Sequence, residues 1–138
     1  MKFLPVLFLS VLLVACSAGV VYKNTPPEQV NTRRAVRVSG VYQPYGLDFT
    51  ALAEPKEDGV RLVVFSVIGS KLADLFVTPE EIGVYAKIPQ LPARLVGGFG
   101  RMARAQLAVS CPEKEFVYQD FPSRGTLYVK TQGDVLCY

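Results

Sequence analysis

Apolar and polar residues alternate through most of the chain between residues 35 and 88, and this pattern limits the fold more than any other feature. Alternation with period two places every second side chain on the same face, which is typical of a half-buried β-strand. Turn residues separate five such runs, which span 35–42, 47–53, 60–65, 71–78 and 82–88. We therefore predict a meander of antiparallel strands that forms a strongly curved sheet.

Helical spacing replaces the alternation between residues 93 and 109. Arg94, Arg101 and Arg104 fall largely on one side of this helix, and the other side carries its apolar residues: Leu95, Val96, Phe99, Met102, Ala103 and Leu107. Glycine costs about 1 kcal/mol relative to alanine inside a helix. The glycines of the segment 97–100 therefore indicate either a kinked, marginal helix or close packing on the sheet.

Alternation returns over 115–121 and 126–131, and a short apolar run follows at 135–138. The whole pattern predicts a mainly β (α+β) fold, in which an incomplete antiparallel sheet is crossed by one helix. Residues 1–34, which precede the predicted sheet, lack this alternation.

The first fifteen residues have the features of a secretory signal peptide: a positive charge at Lys2, an apolar core and small residues at the exit. The Leu-Val-Ala-Cys run that ends at Cys16 resembles the lipobox of bacterial lipoproteins. The resemblance implies that Cys16 is acylated and becomes the first residue of the mature chain, with more than one acyl chain needed for stable anchoring. Ser17 then implies sorting to the outer membrane. The alternative is an ordinary signal peptide with a coincidental cysteine.

The rest of the chain is enough for one domain. Removing 15 of the 138 residues leaves 123, which suits a single modest core. We interpret 16–34, which is polar, as a tether, and 35–138 as one β-rich domain facing the periplasm. The formal net charge is +3 with both signs interspersed, so we expect no nucleic-acid partner.

Three cysteines are present, at positions 16, 111 and 137. If Cys16 carries lipid, Cys111 and Cys137 remain as a possible disulfide pair, which an oxidising periplasm permits. The alternative is two reduced, buried cysteines, because the sequence does not show whether their Cα atoms approach each other.

Histidine is absent from the sequence, which removes the usual general base, the Ser-His and Cys-His nucleophile pairs and most zinc sites. The carboxylates that lie beside Pro or Gly read as solvated turns: Glu54, Glu57, Asp58, Glu80 and Glu81. We therefore expect no catalytic residue, no metal site and no cofactor.

The run from Val60 to Pro79 resembles the middle of the LolA/LolB group of outer-membrane lipoprotein carriers. In both, an Arg-Leu strand leads to a two-residue apolar tip, then Gly-Ser, then an alternating strand that ends near Pro. A looser match extends back to Ser39-Gly40. The resemblance implies a concave half-barrel whose helices cover an apolar cavity, and a protruding loop, here Val67 and Ile68, that touches the membrane.

Apolar residues on the inner face would line that cavity: Val36, Val38, Phe49, Leu62, Val64, Leu75, Val84, Phe99 and Met102. The alternatives are that these residues are plain core and that the tip folds under the edge of the sheet. This chain also departs from the family, since it lacks the long N-terminal helix and has one covering helix where the family has several.

Two functions follow from these observations. The first is a lipid-anchored protein that binds or transfers an acylated protein or lipid at the outer membrane, without catalysis. The second is an interaction or scaffold lipoprotein with a solid core, which docks an envelope partner through the Val67–Ile68 tip or the face of Arg94, Arg101 and Arg104. A filled space between sheet and helix would favour the second.

Overall fold

One sheet and one helix make up the computed structural model, which describes residues 20–24, 28–108 and 112–132. The strands of these ranges are β1 Val20–Tyr22, β2 Val36–Gln43, β3 Leu47–Lys56, β4 Gly59–Phe65, β5 Lys71–Val77, β6 Ile82–Lys87, β7 Glu115–Asp120 and β8 Gly125–Gln132. Helix α1 spans Ala93–Met102 and continues as a π-helical turn, Ala103–Leu107. Among the described residues, the helices are too short or too polar for a transmembrane span.

The eight strands are ordered β1-β6-β5-β4-β3-β2-β8-β7, so β1 and β7 are the two edges of an open sheet. Consecutive strands from β2 to β6 pair as antiparallel hairpins, and β8 returns to pair with β2. Only β1 is parallel to its neighbour among the described strands. The prediction of a mainly β fold with one sheet and a helix packed across it is confirmed.

Helix α1 lies against one face of the sheet, and this inner face is the core. Two glycines allow the close approach, which is the second of the explanations that the sequence left open. A methyl group on Gly98 would lie 1.9 Å from Tyr42 Oη, and one on Gly100 would lie 2.7 Å from Ile82 Cγ2.

A bulge in β6 changes which face its last residues occupy. Leu75 pairs with Val84, but the preceding Asp74 pairs with Ala86, so Tyr85 is an extra residue on β6. A bulge breaks the period of two. The alternation over 82–88 predicts that Ile82, Val84, Ala86 and Ile88 share one face, and this prediction is wrong at Ala86, which is exposed.

The segment predicted to be a tether, 16–34, packs on the domain wherever the structure describes it. Val20–Tyr22 adds a strand to the edge of the sheet, and the Lys23 amide donates to the Val84 carbonyl at 2.8 Å. Farther along, the Asn31 amide donates to Glu54 Oε1 at 3.0 Å. The domain therefore includes residues that the sequence assigned to a linker.

The predicted loop 54–59 is wrong as well. Strand β3 continues to Lys56 and β4 begins at Gly59, so the turn contains only Glu57 and Asp58. Glu54 is consequently 3% exposed and pairs with Lys56 at 3.0 Å, whereas the sequence placed it in a solvated turn. Residues 1–19, with Cys16, lie outside the described ranges, as do Cys111, Cys137 and the run 135–138.

Candidate functional site

The nine residues predicted to line a cavity lie together in the core. Eight of them are 1% exposed or less, and Val36 packs against the same cluster. The Phe99 ring meets the Phe49 ring edge to face, with centroids 4.9 Å apart. Tyr42 packs on Phe99 in the same way at 5.3 Å. Side chains from α1 therefore occupy the space beside the sheet that the sequence assigned to a ligand.

Grooves of 270 to 330 Å³ lie on the surface of the part of the chain that the structure describes, and four of them are lined by none of the nine residues. One groove of about 330 Å³ runs between the segment 28–32 and the outer face of the sheet, beside Leu52, Val63 and Phe65. Its polar wall holds Arg61 and Asp74, whose side chains are already paired.

That buried pair is a structural feature that the sequence pattern missed. Arg61 Nε and Nη2 donate to the two Asp74 carboxylate oxygens at 2.6 and 2.7 Å. Arg61 Nη1 also donates to the Glu28 carbonyl. Bidentate pairing of this kind satisfies both groups, and every buried side-chain nitrogen and oxygen of the described residues has a partner. Within the same ranges, no cluster of acidic, Cys or His side chains could hold a metal ion.

The β4–β5 turn presents the predicted apolar tip. Val67 is 71% exposed and Ile68 is 89% exposed, so neither side chain folds under the edge of the sheet. Hydrogen bonds close the loop: the Ser66 amide donates to the Ser70 carbonyl at 2.8 Å, and the Gly69 amide donates to the Ser66 carbonyl at 2.9 Å. The tip is therefore held out by a defined turn.

A second exposed apolar residue, Phe121, was not predicted as a site. It is 84% exposed in the turn 121–124 between β7 and β8. In the alternating run 115–121 it shares one side with Val117 and Gln119, but one aromatic residue on such a side gives no functional signal.

Buried polar residues on both sides fix the turn that carries Phe121. Asp120 accepts bonds from Arg101 Nε and Nη2 at 2.6 and 2.9 Å, and the Ser123 amide donates to Asp120 Oδ2 at 3.2 Å. The Ser123 hydroxyl bonds to Tyr42 Oη, and the Ser123 carbonyl accepts from Tyr45 Oη. Asp120 and Ser123 are buried, so these bonds fix the backbone of the turn that presents Phe121.

The electrostatics of this cluster follow from burial and pairing. Burial raises the pKa of Tyr42, which stays a neutral donor or acceptor. Burial alone would also raise the pKa of Asp120, but the bonds from Arg101 and Ser123 together hold it below the usual value. The bond to Asp120 raises the pKa of Arg101. The cluster is a structural ion pair between Arg101 and Asp120. The pKa of each of its three shifted groups moves away from neutral pH, so none is suited to proton transfer there.

Two of the three arginines predicted to form a docking face, Arg101 and Arg104, make hydrogen bonds within the fold. Arg101 is paired with Asp120, and Arg104 Nε donates to the Thr78 carbonyl at 3.0 Å. Arg94 is exposed and lies over the Tyr45 ring at 5.5 Å. Only Arg94 of the three presents an exposed side chain.

No family model, curated protein or solved structure matches this chain. The function therefore has to be argued from the arrangement of its own residues.

Proposed function

We propose that this protein is a lipid-anchored, non-catalytic protein of the outer membrane that acts by contact through the Val67–Ile68 tip. The observation that carries the proposal is the exposure of these two aliphatic side chains in a hydrogen-bonded turn. Burying each of them in an apolar environment would contribute about 1.5–3 kcal/mol. A preformed turn also lowers the entropy lost on docking.

Transport of an acyl chain inside the sheet is the less favoured function. We infer that the sheet is a curved half-barrel, as the resemblance implies, but one whose concave side is filled by α1. An acyl chain would have to displace Phe99 and Met102, which are fully buried. The packing therefore favours the interaction lipoprotein over the carrier.

Anchoring rests on the sequence of the leader and on Cys16. Acylation of Cys16 would place the domain on the periplasmic side of the outer membrane, and no catalytic group is needed for a protein that works by docking.

Two measurements in a Gram-negative host test the proposal. Mass spectrometry of the mature protein should find an acylated Cys16 at the amino terminus, and an unmodified terminus would refute the anchor. A photocrosslinking residue placed at position 68 should capture lipid or a protein, whereas the same residue at Lys130, exposed on the outer face, should not. Absence of any crosslink at position 68 would refute docking through the tip.

A further inference from the structure

Two rigid apolar tips leave the sheet at the same end. The Val67–Ile68 tip follows β4, and Phe121 follows β7. The register relates them, because one continuous row of paired residues crosses the sheet from β4 to β7: Phe65, Thr50, Ser39, Lys130 and Glu115.

Strand β4 ends at this row, whereas β7 runs five residues beyond it, to Asp120. Along the strand direction, five residues at about 3.3 Å displace the end of β7 by about 17 Å from the end of β4. Perpendicular to the strands, the four spacings from β4 to β7 total about 19 Å. The corresponding tilt is about 40°, within the range of strands in barrels, about 35–45°. In a half-barrel this stagger brings both tips level, on one rim that consists of the turns 44–46, 66–70 and 121–124.

Cationic side chains surround the two tips. Lys71 follows the first tip, Arg124 belongs to the second turn, and Arg94 lies at the start of α1; all three are exposed. Two nearby carboxylates are neutralised by arginines: Asp74 pairs with the buried Arg61, and Asp120 pairs with the partly buried Arg101. Lys71 also contacts Asp74, at 3.3 Å, and Asp48 is an exposed acid near this rim.

The opposite end of the sheet carries mixed charge. Its turns hold Glu57, Asp58, Glu80 and Glu81, but Glu81 pairs with Lys23 at 2.7 Å, and Lys56 and Arg104 line one groove with Glu57 and Asp58. The exposed cations therefore favour an anionic partner at the rim.

We propose that the rim docks on a lipid bilayer with anionic head groups, with Val67, Ile68 and Phe121 inserted and Lys71, Arg94 and Arg124 beside the phosphates. This inference rests on the proposed function and names the partner of its tip. Two separate tips about 25 Å apart along the sheet would need two matching pockets on a protein, whereas a bilayer accepts both at any spacing. Cations near an anionic bilayer strengthen this binding.

The test uses the mature chain from residue 16 with Cys16→Ser, which contains every described residue and carries no acyl chain. Co-sedimentation should show tighter binding to vesicles of phosphatidylcholine and phosphatidylglycerol than to phosphatidylcholine alone, with the difference lost at high salt. Ile68→Ser and Phe121→Ser should each weaken binding about tenfold. Arg124→Glu should weaken it several-fold.

Matched controls lie on the outer face, away from the rim. Val117→Ser removes another exposed apolar side chain, and Lys130→Glu reverses another exposed charge; both should bind like the parent. All five changes are at exposed positions, so unchanged urea midpoints should show that the variants are folded.

The outcomes separate the two proposals. Loss of binding by Ile68→Ser but not by Phe121→Ser would overturn the two-tip rim and leave the proposed function standing. Crosslinks from position 68 to protein only, with no vesicle binding, would overturn the lipid partner. Equal binding to both vesicle types would overturn the role of the cations, and no crosslink together with no vesicle binding would refute both proposals.

Discussion

Gly98 sets how closely the helix approaches the sheet. Gly98→Ala would place a methyl group 1.9 Å from Tyr42 Oη and 2.9 Å from Asp120 Oδ2. We expect the variant to lose about 1–3 kcal/mol from overpacking, although alanine favours a helix by about 1 kcal/mol. Urea denaturation measures the change. Gly97→Ala is the control, since its methyl group would meet only the Arg101 guanidinium, at 3.0 Å. Equal losses in the two variants would contradict this explanation.

Asp120 should make stability depend on pH in the acid range. Its pKa is lowered in the folded protein, by bonds from Arg101 and Ser123 that outweigh burial. The pKa of Glu54 is lowered likewise, because bonds from the Asn31 amide and Lys56 outweigh burial. Carboxylates with a lowered folded pKa stabilise the protein above the unfolded value, about 3.9 for Asp, and this stability is lost as pH falls through the folded value.

We therefore expect the free energy of unfolding to fall below about pH 5. Asp120→Asn should lower it by about 3 kcal/mol at pH 7 and flatten its acid dependence. Urea midpoints from pH 2 to 7 measure both effects. Glu57→Gln, in an exposed turn, should change neither, and an acid slope as steep in Asp120→Asn as in the parent would disprove the assignment.

The burial of charged residues was the property that the sequence predicted least accurately. Asp74 alternates with Ala73 and Leu75, so periodicity places it on the face opposite to theirs, yet it is 1% exposed. Its partner Arg61 lies 13 positions earlier on the neighbouring strand. Periodicity shows which side chains share a face, but it does not show that two opposite charges will meet and be covered.

At the level of elements, the strands were predictable because alternation and turn residues agree along most of the sheet. The boundaries found by periodicity differ from those of β2, β5, β6 and β7 by about one residue. Two errors have physical reasons. The bulge at Tyr85 inserts a residue that no pattern reveals, and β1 is too short, at three residues, for alternation to be recognised.

Phe99 on the helix can show whether the residues of the inner face are a packed core or the wall of a ligand cavity. Phe99 is fully buried between sheet and helix, so Phe99→Ala should cost about 3–5 kcal/mol. Phe121→Ala, the same change at an exposed site, should stay within about 0.5 kcal/mol of the parent. Chemical denaturation compares them. A small loss for Phe99→Ala, with saturable fatty-acid binding, would instead favour the acyl carrier.

At the scale of the whole molecule, the sequence predicted one of the two exposed apolar tips and missed the other. Val67 and Ile68 stand at a tip between two adjacent strands, which local sequence reveals. Phe121 follows them by more than fifty residues, and the two tips come to one rim only through the pairing of β8 with β2. A strand order that is not sequential has no local signal in the chain.

The anchor should change how strongly each tip is needed. With Cys16 acylated, the acyl chains themselves hold the protein on the vesicle, whether or not the tips insert. We expect Ile68→Ser to reduce vesicle binding of the acylated protein less than twofold, against about tenfold without the acyl chains. Flotation of reconstituted protein measures this; a tenfold loss in both forms would contradict the linkage.

Strand β1 sets how far the domain lies from the anchor. It begins at Val20, four residues after Cys16, and four extended residues span at most about 14 Å. Val20 pairs with Ile82, which follows the turn of Glu80 and Glu81 at the end of the sheet opposite the rim. The acyl chains would therefore hold that end of the sheet close to the leaflet, and the domain would diffuse laterally with the lipids around it.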